Sequence, residues 1–274
     1  MKLYDCHIHS KYSIDGTNTI EDIIKTAIKK GVTALTITDH SLPQSSDYAP
    51  YEHIKKSVLE AKELSKKYKD KILVLSGVER DDEYPPEYKE PFYSFELDCI
   101  LGSAHSEPIF KTYFADCGYK SLKYCADVVS IDFLEQVVKK YYSRLSGLAY
   151  YADVDVITHL TFPFRYINGY ANRGMDMEKF YPDMDEVLMG VVKTNKALEV
   201  NTSGKAIKWN EFMPNAEILS RYFALGGRNI TLGSDAHKME NIATAFNEAA
   251  KMLKEIGFTH GSYFIKRKRY EYEL

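Results

Sequence analysis

Six short apolar runs in this chain each lead to a residue type that ligates metals. The first closes on Asp5-Cys6-His7-Ile8-His9. Ala34-Leu35-Thr36-Ile37-Thr38 is followed by His40, Ile72-Leu73-Val74-Leu75 by Glu79, and Cys99-Ile100-Leu101 by His105. Val154-Asp155-Val156-Ile157 leads to His159, and Asn229-Ile230-Thr231-Leu232 to Asp235 and His237. Alternate side chains of a strand share a face, so His7 and His9 can grip one ion while Cys6 and Ile8 turn away from it. Strand ends of this kind meet at one rim if the strands close into a barrel. The pattern predicts an α/β barrel with a polynuclear metal site.

At 274 residues the chain has the length of one such barrel, which runs to about 250 residues, and it reads as a single domain over 1–274. Hydrophobic residues make up 45%, charged residues 27%, and the formal net charge is −3. This balance fits a soluble globular chain with no global bias toward nucleic acid or membrane. Met1-Lys2-Leu3-Tyr4-Asp5 carries an early charge and no apolar stretch of a signal peptide. No apolar run approaches the roughly 18 residues that span a bilayer, so a cytoplasmic location is expected. Cys6, Cys99, Cys117 and Cys125 lack C-x-x-C spacing, which predicts reduced thiols and a metal held by nitrogen and oxygen.

Strand-like and helix-like segments alternate. Thr19 reads as the N-cap of a helix running through Lys30, with Gly31 as its C-cap. Further strands are predicted at 33–38, 71–78, 97–103, 154–158, 197–201 and 229–233, and helices at 52–68, within 118–151, and near 183–195, 214–225 and 241–255. Arg80 to Glu96 reads as a loop or lid. Lys266-Arg267-Lys268-Arg269 reads as a solvated tail, His53 and His260 as solvent-facing, and the pairs Tyr141-Tyr142 and Tyr150-Tyr151 as packing residues.

One H-x-H is a weak signal, and His40 alone could hydrogen-bond a loop. Glu79 is harder to dismiss, because a carboxylate at a core edge needs a cation or donors. Six of the eight histidines follow apolar runs. Imidazole and carboxylate without thiolate suit Zn, Mn, Fe or Co at sites with open positions. Such cations lower the pKa of a shared water and clamp displaced oxygens, which fits phosphate ester hydrolysis. Arg165, between aromatics, is the leading phosphate-binding cation, followed by Arg80, Arg173, Lys205 and Lys208.

Together, Asp5 to Ser10 with Tyr12-Ser13 and Asp15-Gly16, Thr38-Asp39-His40, Gly77-Val78-Glu79, Gly102-Ser103-Ala104-His105, Asp155 to His159, Asn201-Thr202-Ser203-Gly204 and Gly233 to His237 resemble the PHP superfamily of metal-dependent phosphoesterases. The narrower resemblance is to PHP-type histidinol-phosphate phosphatases, over roughly residues 3–250. It implies a distorted (β/α)7 barrel with three divalent ions (Zn, Mn or Fe) at the C-terminal face of the strands. Carried over, His7, His9, Glu79 and Asp235 hold one ion, Glu79 bridges to a second completed by His105 and His159, and Asp15, His40 and His237 hold a third. Where that branch tends to place an arginine after its Asn-Thr-Ser/Ala-Gly segment, this chain has Lys205 to Lys208, and two residues beyond His159 it has Thr161 instead of an aspartate.

The implied activity is hydrolysis of L-histidinol phosphate, a small-molecule phosphate ester, in histidine biosynthesis. Asp39, Arg165 and His237 are the catalytic candidates, with Asp39 either an acid or an orienter of ligands. Arg165, Arg80, Lys205 and Lys208 are assigned to phosphate, and Asp81 with Asp82 to the substrate ammonium. The alternatives are a PHP phosphoesterase acting on a nucleotide, oligonucleotide or phosphotyrosine, and a non-catalytic metal-binding domain.

Overall fold

The computed structural model describes residues 2–41, 50–82, 89–105 and 122–274. Within them, seven parallel strands follow one another in chain order: β1 (Leu3–Ile8), β2 (Val32–Ile37), β3 (Leu73–Asp81), β4 (Cys99–Ser103), β5 (Val156–Ile157), β6 (Ala197–Asn201) and β7 (Ile230–Gly233). The ring closes between β7 and β1, where Asp235 N–H donates to His7 O at 2.8 Å and His9 N–H to Ala236 O at 3.0 Å. The architecture is the predicted α/β, TIM-like barrel.

Six longer helices cover the barrel: α1 (Ile20–Lys29), α2 (Pro50–Tyr68), α3 (Ile131–Tyr151), α4 (Tyr181–Lys193), α5 (Ala216–Ala224) and α6 (Phe246–Ile256). Helix α1 shows how the sequence positions them. Thr19 Oγ1 accepts from Asp22 N–H at the first turn, and Ile20, Ile23, Ile24 and Ala27 form the buried stripe expected of a 3.6-residue period. That stripe packs with Ile8, Leu35, Ile37 and Val74, the outward residues of three adjacent strands. A second, larger core lies under α3, α4 and α5.

Three expectations need correction. Strand β3 runs on to Asp81, so Arg80, Asp81 and Asp82 are buried residues of the barrel instead of members of a lid; residues 83–88 of that segment lie outside the described residues, as do 118–121 and Cys117. The basic run Lys266 to Arg269 is no tail. It forms the turn and the start of the second strand of an antiparallel hairpin, β8 (His260–Ile265) with β9 (Lys268–Glu273), where Lys266 N–H donates to Asp98 Oδ1 and Arg267 pairs with Asp153 and Asp155. Tyr141 and Tyr142 are buried, whereas Tyr151 is 66% exposed. His260 is exposed and His53 half-buried. Cys6, Cys99 and Cys125 are free buried thiols.

Candidate metal centre

Every barrel strand but β6 delivers one or more of the candidate ligands to one rim, and the turn after β1 supplies Asp15. That turn depends on Gly16: a Cβ there would sit 1.9 Å from the carbonyl oxygen of Ser10, so only glycine lets the chain fold back and bring Asp15 over the rim. The donor atoms gather in three groups. His7 Nε2 and His9 Nε2 are 3.0 Å apart, each 3.4 Å from Glu79 Oε2, and 3.7 and 3.3 Å from Asp235 Oδ1. Glu79 Oε1 lies 3.6 Å from His105 Nε2 and 3.1 Å from His159 Nε2, which are themselves 3.2 Å apart. Asp15 Oδ1 lies 3.7 Å from His40 Nε2 and 3.2 Å from His237 Nε2.

These separations match the edges of a coordination polyhedron. Ligands at about 2.0–2.2 Å from a tetrahedral cation stand roughly 3.3–3.6 Å from one another. Proton counting points the same way. His7 Nδ1 donates to Glu199 Oε1 at 2.6 Å, and His105 Nδ1 donates to Asp81. Ser13 spends its only proton on Asp39, so its Oγ accepts from His9 Nδ1 at 3.0 Å. His237 Nδ1 donates to Asp235 O at 3.0 Å. In their neutral forms all four rings present an Nε2 lone pair to the centre. Glu79 Oε2 is fully buried, 3.4 Å from the Nε2 atoms of His7 and His9 and 2.8 Å from His40 Nδ1, and makes no well-aligned hydrogen bond. A buried carboxylate oxygen so placed is costly unless a cation neutralises it, and the donor set therefore fits divalent metal.

Without a cation, the same crowding sets how these groups titrate. Burial disfavours charge on His7, but Glu199, Glu79 and Asp235 together hold its pKa well above the ordinary value. Burial, with His237 and His40 nearby, pushes His9 well below it. Burial raises the Glu79 and Asp235 carboxyls, yet the surrounding imidazoles more than offset it and keep both well below the usual range.

The remaining sequence candidates are placed as follows. Arg165 lines a cleft of about 310 Å³ over the centre, together with Asp15, His40, His105, Asp235 and His237. Its Nη1 donates to Ser203 Oγ at 3.1 Å, and no carboxylate pairs with it among the described residues. Arg80 points to the opposite face of β3 from Glu79, wholly buried, with Nε 3.0 Å from Glu90 Oε1. Asp81 holds His105, and Asp82 accepts from His105 N–H and from Arg144, so both are committed to the scaffold. Asp39 is buried and accepts from Ser10 N–H, Ser10 Oγ, Ser13 Oγ and Ser57 Oγ. It orients the loop carrying Ser13 and does not line the cleft. Lys205 is engaged by Glu248 and the Asn210 carbonyl, Lys208 is exposed, and Arg173 binds the carbonyls of Ala126 and Val129; none of these lines the cleft.

Sequence reasoning missed Glu199 and Lys238, and it named Asn201 in a motif without giving it a role. Glu199 and Asn201 sit inside an apolar strand; alternation puts both on the His7 side, and a carboxylate there was the available signal. Lys238 lines the cleft directly after His237.

A family model, the PHP domain, matches residues 5–203, nearly three-quarters of the chain. The chain belongs to the PHP domain family. Among curated relatives of this PHP protein, one from Thermotoga maritima named "Probable histidinol-phosphatase" is 25% identical over 261 residues, 94% of each chain. A "Histidinol-phosphatase" from Lactococcus lactis subsp. lactis is 23% identical over 94% of this chain and 93% of that one. The crystal structure of a histidinol phosphate phosphatase from the same Lactococcus strain, complexed with zinc, L-histidinol and phosphate, superposes with a TM-score of 0.77 at 20% identity, covering 98% of this chain and 99% of that one. The PHP barrel described above is thus a shared fold. No helix among the described residues is long and apolar enough to cross a membrane.

Proposed function

We propose that this PHP domain, spanning 1–274, is a phosphomonoesterase that hydrolyses L-histidinol phosphate to L-histidinol and phosphate, serving histidine biosynthesis in the cytoplasm. The observation that carries the chemistry is the meeting of six histidines and three carboxylates at one rim, around a Glu79 Oε2 buried 3.4 Å from the Nε2 atoms of His7 and His9 and 2.8 Å from His40 Nδ1. The names of the curated relatives, and the L-histidinol in the Lactococcus enzyme, support the substrate.

In this reading His7, His9, Glu79 and Asp235 hold one cation, Glu79, His105 and His159 a second, and Asp15, His40 and His237 a third. Zinc suits this nitrogen–oxygen set, as do manganese and iron. Bound there, the cations supply Lewis acidity, neutralising phosphoryl charge and acidifying water. The chain's own residues do the rest. Arg165 meets the phosphoryl oxygens from the cleft wall, aimed by its bond to Ser203 Oγ, and Lys238 adds a second positive charge. Phe162, Tyr166 and Ile207 give the leaving group an apolar wall. Asp15 and Asp235 are the carboxyl groups on the cleft among the described residues. Both belong to the ligand set, so the proton for the departing alkoxide comes from water at the cleft mouth and not from Asp39.

Phosphate release measured on zinc-supplemented protein across a substrate panel tests this. Turnover of L-histidinol phosphate well above that of tyrosine phosphate, AMP and a 5′-phosphorylated oligonucleotide is expected; preference for any of the others would refute the substrate.

A further inference from the structure

Among the described residues, Glu199 is the one carboxylate that reaches both halves of the centre without belonging to either. Its Oε1 accepts from His7 Nδ1 at 2.6 Å, and its Oε2 accepts from the His159 backbone N–H at 2.8 Å and from Asn201 Nδ2 at 3.1 Å. Asn201 Nδ2 also approaches Asp235 Oδ2 at 3.3 Å. The side chain is 1% exposed, and the space it fills exists because residue 233 is glycine: a Cβ there would lie 2.2 Å from Glu199 Oε1 and 2.7 Å from the Cβ of His7.

The second contact is the less ordinary one. His159 has φ +26°, a backbone conformation that side-chain-bearing residues rarely adopt and that persists only when neighbours hold it. The N–H bonded to Glu199 belongs to that peptide, and Tyr141 Oη donates to the His159 carbonyl at 2.8 Å. Held this way, the ring puts Nε2 at 3.1 Å from Glu79 Oε1 and 3.2 Å from His105 Nε2. Glu79 bridges the two donor groups on the cleft side, and Glu199 ties them from beneath.

We propose that Glu199 is the positioning residue that couples the His7/His9 group to the His105/His159 group, so that the two take up metal as a unit. Its acceptor oxygen fixes the His7 tautomer that leaves Nε2 free to ligate, and its other oxygen holds the strained peptide that aims His159. The inference rests on the reading that these donor groups hold metal, and it is independent of which phosphate ester is cleaved.

Two variants separate the parts. Glu199→Gln keeps the shape and an acceptor for the His159 N–H but puts an amide against His7 Nδ1. Gly233→Ala keeps the carboxylate and drives a methyl into its place. Zinc titration against a competing chelator, with bound metal counted, is expected to show both variants weakened about 10- to 100-fold and losing two ions. Asp81→Asn, whose carboxylate holds the His105 ring and approaches His40 Nδ1 at 3.9 Å, is expected to lose one. Nitrogen-15 histidine spectra of the zinc-loaded wild type are expected to show His7 protonated at Nδ1 and not at Nε2, a signature that needs no variant to fold. Unchanged zinc affinity in both variants, loss of a single ion, or a wild-type His7 protonated at Nε2 would each overturn the coupling. A wild type that binds no zinc overturns the metal reading and this inference together. Weakened zinc binding in both variants, in a wild type that nevertheless spares L-histidinol phosphate, sustains the inference and removes only the substrate.

Discussion

The Nε2 atoms of His7 and His9 face each other across 3.0 Å from two side chains of one chain segment. Both rings have committed the opposite nitrogen, to Glu199 and to Ser13. Without a cation or a shared proton between them, the two lone pairs and the Glu79 carboxylate repel. Metal should therefore be a large part of the protein's stability. At a hundredfold excess over its dissociation constant, zinc is expected to add about 2.7 kcal/mol, raising the melting temperature by roughly 5 °C for a chain of this size. Thermal unfolding with zinc and with a chelator checks this; coincident curves would contradict it.

Arg165 is the cleft cation best placed to act on substrate. It bonds Ser203 Oγ and has no carboxylate partner among the described residues. Its guanidinium can thus serve developing charge on phosphorus. Arg165→Ala is expected to lower kcat/KM by about 10²- to 10³-fold, the cost of removing one preorganised donor. Metal content and melting temperature should stay at wild-type values, because the residue supports neither. Arg165→Lys should recover only part of the loss, since an ammonium cannot make a two-pronged contact. Steady-state kinetics on the three proteins decide it.

The Arg267 contact makes the hairpin a structural clasp. Its guanidinium bridges Asp153 and Asp155 at the entry to β5, and burial raises the Asp155 carboxyl pKa even though Arg267 opposes it. Arg267→Ala leaves that buried carboxylate without its cation, with the Ile100 N–H still donating to it. A loss of about 2–3 kcal/mol is expected, somewhat below the cost of breaking a fully buried pair because the guanidinium keeps partial contact with water. Urea unfolding measures it, and phosphatase activity per folded molecule should be unchanged.

What the sequence made legible, and what it hid, follows from side-chain alternation. His7, His9, Glu79, Asp235 and His237 could be placed because each ends an apolar run, where a polar residue has few other reasons to sit. Arg80 and Asp81 were misplaced because β3 extends three residues past its expected end, and each added residue flips the face of the next. Arg80 then falls outward onto Glu90 while Asp81 turns inward onto His105. Glu199 was hidden inside an apolar strand that carries no terminal ligand. The closing hairpin was hidden by its turn: Lys266 and Arg267 have φ of +51° and +63°, where asparagine and glycine are the usual signal. Their side chains suggested a charged tail, and only tertiary contacts to Asp98, Asp153 and Asp155 make the turn worth its strain.

Glu21 offers a pH test remote from the centre. On α1 it accepts from Lys67 and Tyr68 of α2, at 2.8 and 2.7 Å, and the hydrogen bond from Lys67, with that from Tyr68, lowers its carboxyl to about 2. A depressed carboxylate stabilises the fold above its unfolded value near pH 4.3, and the contribution fades as the pH falls from there through about 2. The stability difference between wild type and Glu21→Gln is therefore expected to be constant from pH 7 to pH 5 and to shrink below pH 4. Denaturant midpoints at pH 7, 5 and 3 test the sign; a difference that grows on acidification would contradict it.

The central claim is that the gathered histidines and carboxylates are the engine of phosphate ester cleavage. Stripping the purified protein with a chelator, restoring zinc in measured equivalents and following phosphate release from L-histidinol phosphate tests it most directly. The account predicts that release stops on stripping and returns in proportion to bound zinc until the three donor groups are filled. Release that persists in fully stripped protein, or that stays absent after those groups are loaded, would contradict it.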